Sequence, residues 1–272
     1  MALIDVSNAF FSYGQQDIFR GLNLTINEGE IFCLLGPNGC GKTTLLDCIL
    51  GLRKLKTGGV SIGGIDISYM RPGEAAKQVA YVPQSHDKTF PYSVRQIVLM
   101  GRAAHLGLFG LPSKKDEEIA DEALEMVGIA ALKYRRYTEL SGGESQMVMI
   151  ARALAQQTRI IIMDEPTAHL DFRHELDVLE TIAGLARDSG KSILMATHFP
   201  NHAFFFENNG VTSHVAMMAR DYRFLVGESK DILNEKNLSE LYNINARLVS
   251  CSLDEGQEIK HIIPISTLPS NN

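Results

Sequence analysis

Two kinds of hydrophobic pattern alternate along the chain. Short runs such as "IFCLL" from Ile31, "IIIM" from Ile160 and "ILMA" from Ile193 are apolar at every position and are bounded by glycine, acids or polar residues. Runs apolar on both faces suit strands of a parallel sheet covered on both sides. The first run feeds a glycine-rich turn, after which Leu45, Leu46, Ile49 and Leu50 recur at helical spacing. This predicts a strand, a loop and a helix. Between Gln84 and Gln157 the strand pattern fades into three helical segments. They are "SVRQIVLMG" from Ser93, "KKDEEIADEALEMVG" from Lys114, with Ser113 and Asp116 spaced as a capping box, and the stretch after Gly143. A helical insertion into an α/β chain follows. After His198 the alternating runs "HVAMMAR" and "YRFLVGE" predict strands, "NLSELYNI" predicts a helix, and "LPSNN" reads as a frayed tail.

The glycine-rich turn carries specific chemistry. Gly36, Pro37, Asn38, Gly39, Cys40, Gly41, Lys42, Thr43 and Thr44 fit G-x-x-x-x-G-K-[ST] through Gly36, Gly41, Lys42 and Thr43. Small residues let backbone N–H groups close around phosphates, the lysine reaches the β and γ oxygens, and the threonine hydroxyl faces Mg²⁺. A second glycine turn, "LSGGESQMVMIARAL" from Leu140, opens another helix, and such an N-terminus also attracts anions. Asp164 and Glu165 close the "IIIMDE" run. A carboxylate at the tip of a neighbouring strand is what a Mg·nucleotide site needs. Glu165 alternates to another direction, where it can face an attacking water.

Composition narrows the classes. A net charge of −6 across 272 residues gives no electrostatic footprint for nucleic acid. The longest apolar runs are far shorter than a bilayer span needs, and the N-terminus lacks a basic region followed by an apolar stretch, so a cytoplasmic chain is expected. Cys33, Cys40, Cys48 and Cys251 form no C-x-x-C pair and are expected as reduced thiols. His198 and His202 are four apart, but Pro200 between them spoils a helical metal face.

Order along the chain then becomes informative. Tyr13 precedes the phosphate loop, Gln84 follows "VAYVP", "LSGGE" follows the helical insertion, the acidic pair comes next, then "AHLD", then "ATH". This series resembles the nucleotide-binding subunit of ATP-binding cassette (ABC) transporters over essentially the whole chain. The resemblance implies an α/β P-loop NTPase fold, with a RecA-like core, an antiparallel β subdomain and a helical subdomain. It divides the chain into a core with its β subdomain at 1–86 and 156–250, a helical subdomain at 87–155 and a C-terminal extension at 251–272. It implies ATP and Mg²⁺, the metal near Thr43, Gln84 and Asp164, with Tyr13 stacked on adenine. Glu165 is expected to orient or deprotonate water, with Gln84 and His198 beside the γ-phosphate. It also resolves the two glycine turns: cassettes pair head to tail, so Ser141, Gly142, Gly143 and Glu144 of one copy meet the phosphate held by the other, and Asp171 contacts the opposite subunit. Three positions depart from the family pattern, Cys40, His169 and Ser145, and Phe199 stands where an acid is often seen in the importer class that the chain looks like.

The same resemblance implies a second copy of the chain, two membrane permease subunits and, indirectly, a substrate-binding protein as partners, with no nucleic acid. It puts the protein at the cytoplasmic face of the inner membrane. "YSVRQIVLMGRAAH" from Tyr92 and "THFPNHA" from Thr197 look like the importer class for iron-siderophore, haem, cobalamin or molybdate and tungstate. An exporter cassette and a soluble non-transport cassette ATPase are the alternatives. Two further expectations attach to single residues: Arg102 as part of a dock for the membrane partner, and Cys40 as a thiolate favoured by its helix N-terminus.

Overall fold

The computed structural model describes residues 2–86, 88–107, 110–252 and 258–268. The strands are β1 (Ala2–Tyr13), β2 (Gln16–Asn27), β3 (Ile31–Leu35), β4 (Thr57–Ile62), β5 (Ile65–Asp66), β6 (Val79–Val82), β7 (Ile160–Asp164), β8 (Ser192–Thr197), β9 (Ser213–Met218), β10 (Phe224–Glu228), β11 (Ile244–Ser252) and β12 (Glu258–Thr267). The helices are α1 (Lys42–Ile49), α2 (Pro72–Ala75), α3 (Val94–Leu99), α4 (Lys114–Met126), α5 (Gly142–Ala155), α6 (Phe172–Ser189), α7 (Asn201–Asn208), α8 (Ser229–Ile232) and α9 (Glu235–Tyr242).

The fully apolar runs do become a parallel sheet. Its order is β10-β9-β3-β8-β7-β6, with every pairing parallel except β10 against β9. Alternation along each strand serves two cores. Ile31, Cys33 and Leu35 of β3, with Ile161 and Met163 of β7, face the layer of α3 to α7. Phe32 and Leu34, with Ile160 and Ile162, face α1 and the antiparallel sheet β2-β1-β4-β5. Asp164 shares the parity of Ile160 and Ile162, so its carboxylate comes out on the α1 side, where the phosphate loop ends.

The helical insertion folds as α3, α4 and α5. The Ser113–Asp116 capping box forms: the Ser113 hydroxyl accepts from Asp116 N and the Asp116 carboxylate accepts from Ser113 N at 2.9 Å. Arg102 does not lie on a docking surface. It is 6% exposed, and its Nε donates to Asp116 Oδ1 at 2.9 Å while Nη1 donates to Ala155 O at 2.8 Å. A guanidinium with a rigid fork of donors is suited to tie three segments at once, and here it staples the segment after α3 to both α4 and the end of α5.

The chain after His198 does not return directly to strands. Pro200 caps α7 at its N-terminus, and Phe204 and Phe206 of that helix are fully buried against the central sheet. A proline is tolerated at a helix start, where no intrahelical N–H is required, so it begins α7 rather than preventing it. β11 and β12 form an antiparallel hairpin that packs on α9 and α7. The boundary expected at 250/251 falls inside β11. Asn201 at the head of α7 holds the hairpin as a strand would: its Oδ1 accepts from Ile262 N at 2.7 Å and its Nδ2 donates to Ile262 O at 3.1 Å.

Candidate active site

The phosphate loop spans the gap between β3 and α1. Gly41 caps α1 with φ at 105°, and a Cβ there would collide with Ile18 Cγ2, so both backbone angle and space require glycine. The loop turns Lys42 inward. Its buried ammonium donates to Gly36 O at 2.8 Å and lies 3.3 Å from Glu165 Oε1. Thr43 Oγ1 donates to Asp164 Oδ2 at 2.7 Å, which joins the loop to the tip of β7.

Glu165 is the hub of the cleft. Its backbone has φ at 46°, an uncommon value for a residue with a side chain and one that aims the carboxylate away from the line of β7. Gln84 Nε2 donates to Glu165 Oε2 at 3.4 Å, and His198 Nδ1 lies 3.3 Å from the same oxygen without hydrogen-bond alignment. Lys42 from the start of α1, with Gln84 and His198 from beyond the ends of β6 and β8, therefore converge on one carboxylate. Tyr13 sits at the rim, 43% exposed, with its hydroxyl 3.4 Å from Thr44 Oγ1 and the Arg53 guanidinium 5.1 Å from its ring centre. The resulting cleft, of about 380 Å³, is lined by Tyr13, Asn38, Lys42, Thr43, Gln84 and Glu165 among others.

Asp164 fits a metal-holding role. Burial pushes its carboxyl above the usual range, against the opposing hydrogen bond from Thr43, and the neighbouring Glu165 charge pushes the same way. Its Oδ1 is buried with no hydrogen-bond partner among the described residues. An orphaned buried carboxylate oxygen beside the hydroxyl of Thr43, in a cleft that Gln84 also lines, offers hard oxygen donors, which suit Mg²⁺.

Cys40 is not poised as a thiolate. Burial raises its pKa, and the nearby Lys42 charge only partly offsets this. Desolvation outweighs the helix N-terminus.

The second glycine turn is built as a finished helix end. Ser141 caps α5, its hydroxyl accepting from Glu144 N at 3.2 Å, while Glu144 Oε2 accepts from Ser141 N at 2.8 Å. The backbone bond to Ser141 and the Arg135 pairing hold the Glu144 carboxyl below its usual range. Gly143 is required by packing, since a Cβ would enter the His174 ring on α6. Gly142 is exposed at the helix tip. None of Ser141, Gly142, Gly143 and Glu144 is among the residues lining the Lys42 cleft. Asp171 stands apart from that cleft too: it is exposed and caps α6, accepting from His174 N at 3.0 Å.

Several contacts of this region carry no sequence pattern of their own. Lys88 Nζ donates to Leu140 O at 2.6 Å and so ties the segment after Gln84 to the start of the second glycine turn. Tyr242 of α9 donates its hydroxyl to His198 O at 3.3 Å. His202 is buried, its Nδ1 2.9 Å from Thr197 Oγ1 and its Nε2 2.8 Å from Glu175 Oε1. Both ring nitrogens are engaged, which leaves no metal pair with His198. Only the neighbourhood of His202 to "ATH" hinted at this in the sequence.

A mostly parallel sheet bearing a phosphate loop, an acid-tipped neighbouring strand and a helical insertion whose last helix opens on "LSGGE" defines a P-loop NTPase of the ABC cassette fold. The family described as ABC transporter matches residues 19–168, and this chain belongs to it. It binds ATP and is an ATPase coupled to transport. The molybdate import ATP-binding protein MolC of Haemophilus influenzae is 34% identical over 89% of this chain and 88% of its own length. The iron(3+)-hydroxamate import ATP-binding protein FhuC of Bacillus subtilis is 34% identical over 88% of this chain and 87% of its own. Among solved structures, an ABC transporter assigned to the metal-chelate type, in an inward-facing conformation, is similar with a TM-score of 0.85 and 31% identity, covering 97% of each chain. No helix among the described residues is long and apolar enough to cross a membrane.

Proposed function

We propose that this chain is the ATP-hydrolysing, energy-coupling subunit of a binding-protein-dependent importer for a metal chelate or an oxyanion. The observation that carries the hydrolytic part is the convergence of Lys42, Gln84 and His198 on Glu165, beside the Thr43–Asp164 pair. Relatives named for molybdate and iron-hydroxamate import support the importer class.

Lys42 leaves Gly36 O and Glu165 to bind β and γ oxygens of ATP, and Tyr13 stacks on adenine. Glu165, released from the ammonium, accepts a hydrogen bond from water and takes its proton as the water oxygen attacks the γ phosphorus in line with the departing β–γ bridging oxygen. Gln84 orients that water, and His198 donates to the γ-phosphoryl oxygens. Thr43, Asp164 and Gln84 would hold Mg²⁺, which when bound neutralises charge on the β and γ oxygens.

The chain works as a head-to-tail pair. The Ser141–Gly143 helix end reaches the phosphate held by the second copy, and Asp171 lies at the same seam. Two permease subunits bind at the cytoplasmic face of the inner membrane. Within the segment Gln84 to Arg102, exposed Phe90, Tyr92 and Met100 replace the buried Arg102 as the docking residues.

The test is reconstitution. The chain is co-purified with its membrane partner, placed in vesicles with candidate binding proteins, and ATP-dependent uptake of labelled molybdate, ferric siderophore and cobalamin is followed. Accumulation of one identifies the cargo. Cargo leaving on the ATP-exposed side overturns the import direction.

A further inference from the structure

We propose that His202 is a positioning residue for ATP hydrolysis, holding the turn that carries His198 against the first turn of α6. The inference rests on the reading of His198 as a γ-phosphate contact. It starts from a buried imidazole with a complete set of partners. Thr197, the last residue of β8, accepts at Oγ1 from Phe199 N at 3.1 Å. Its hydroxyl proton is then available to His202 Nδ1 at 2.9 Å, which leaves Nε2–H to donate to Glu175 Oε1 at 2.8 Å. The hydrogen bond from His202 is also the main reason why the Glu175 carboxyl lies below its usual range.

His198 sits between the two residues so joined. Thr197 and Phe199 flank it, and the Phe199 ring is 3.9 Å from the His198 ring centre and 5.3 Å from that of His202. The turn is therefore gripped at both ends, and His198 has little freedom to leave the Glu165 carboxylate. The far end of the link matters as much. Glu175 lies one turn into α6, and its N–H donates to the carbonyl of Asp171, the residue capping that helix. A force on Asp171 from a second subunit moves the first turn of α6 as a rigid piece, and the Glu175–His202 bond passes that movement to His198. Without His202 that movement would reach His198 only through the general packing of α6 on α7 and β8.

The experiment measures single-turnover hydrolysis by the chain loaded with one equivalent of radiolabelled Mg·ATP, so that both copies of a pair carry nucleotide, followed for hours so that slow variants still give a rate. Steady-state KM is taken in parallel. His202→Leu is expected to lower the rate constant about 10- to 100-fold, the loss typical of a reacting group displaced by about 1 Å, with KM for ATP within about twofold. His202→Gln keeps a donor near the Nε2 position and should recover most of that loss. In the His198→Ala background, His202→Leu should cost no further rate, because its effect runs through His198. A full additional loss in that background, or a wild-type rate in His202→Leu alone, overturns the proposal. Should His202→Leu fail to fold, Glu175→Leu breaks the same link from the α6 side and is read by the same cycle. A normal rate in His198→Ala instead overturns the role of His198, and the positioning claim with it.

Discussion

At the scale of single residues, the cleft stores its chemistry in one ion pair. Lys42 and Glu165 pair at 3.3 Å in a confined site, and in the proposed mechanism ATP separates them before either acts. Glu165→Gln keeps the volume and the glutamine can still meet Gln84, but it cannot take a proton. Turnover is expected to fall about 10²- to 10⁴-fold while nucleotide affinity is retained. Light scattering of that variant with Mg·ATP should show a trapped dimer, and a monomer would speak against the shared site. The thiols give a second prediction. Cys251 is exposed, whereas Cys40 and Cys48 are buried, the Cys48 thiol being pushed up to about 12. A maleimide at neutral pH should label Cys251 first and leave hydrolysis intact, as peptide mapping and activity of the same sample will show. The phosphate loop and the acidic pair were legible in the sequence because phosphate chemistry needs those residue types at fixed spacing. His202, Tyr242 and Lys88 were not, because each acts on a partner distant in the chain, such as the 44 residues between Tyr242 and His198.

At the scale of elements, the strands of the central sheet announced themselves by being apolar on both faces, and α4 by its capping box. α7 was missed since Pro200 reads as a breaker and the "AFFF" run has no helical gap in its apolar pattern. Its burial on nearly all sides explains that absence of periodicity. The helical insertion depends on polar staples more than the sheet does. Arg102 joins α4 to the end of α5, and Arg95 with Lys133 holds Asp121 of α4. Arg102→Met leaves Asp116 without its guanidinium and should lower Tm by about 5 °C or more. Acid should act on the same elements. Asp116 is held low first by the Ser113 hydroxyl and then by Arg102, and Asp121 first by Arg95. Carboxyls depressed in the folded state contribute stability that is fully present above the unfolded value, about pH 4, and is lost as pH falls through the folded one. Hydrogen exchange between about pH 4 and about pH 2 should therefore show protection of α4 falling before that of β3 and β8.

At the scale of the whole molecule, two apolar cores share one sheet, and the candidate catalytic residues stand where that sheet's strand ends meet α1. The run of helices between β6 and β7 was readable because the pattern changes its period at Gln84 and again at Gln157. The C-terminal hairpin was not read as strands; it pairs with itself and is held to the body by Asn201 and by packing on α9, contacts that lie outside its own sequence. Phe90→Ser should weaken co-purification with a permease partner and leave ATP affinity unchanged, which equilibrium nucleotide binding will check. The Ser141–Glu144 cap carries a further consequence for how two copies meet. In an α-helix the first N–H groups have no partner within the helix, so those of Gly142 and Gly143 point outward from an end already folded and locked against His174. In the proposed head-to-tail pair, each subunit would thus offer its neighbour a finished surface. Closure then asks for little loss of backbone freedom, and the rate at which two ATP-loaded chains join is governed by diffusion and mutual orientation rather than by ordering of a loop.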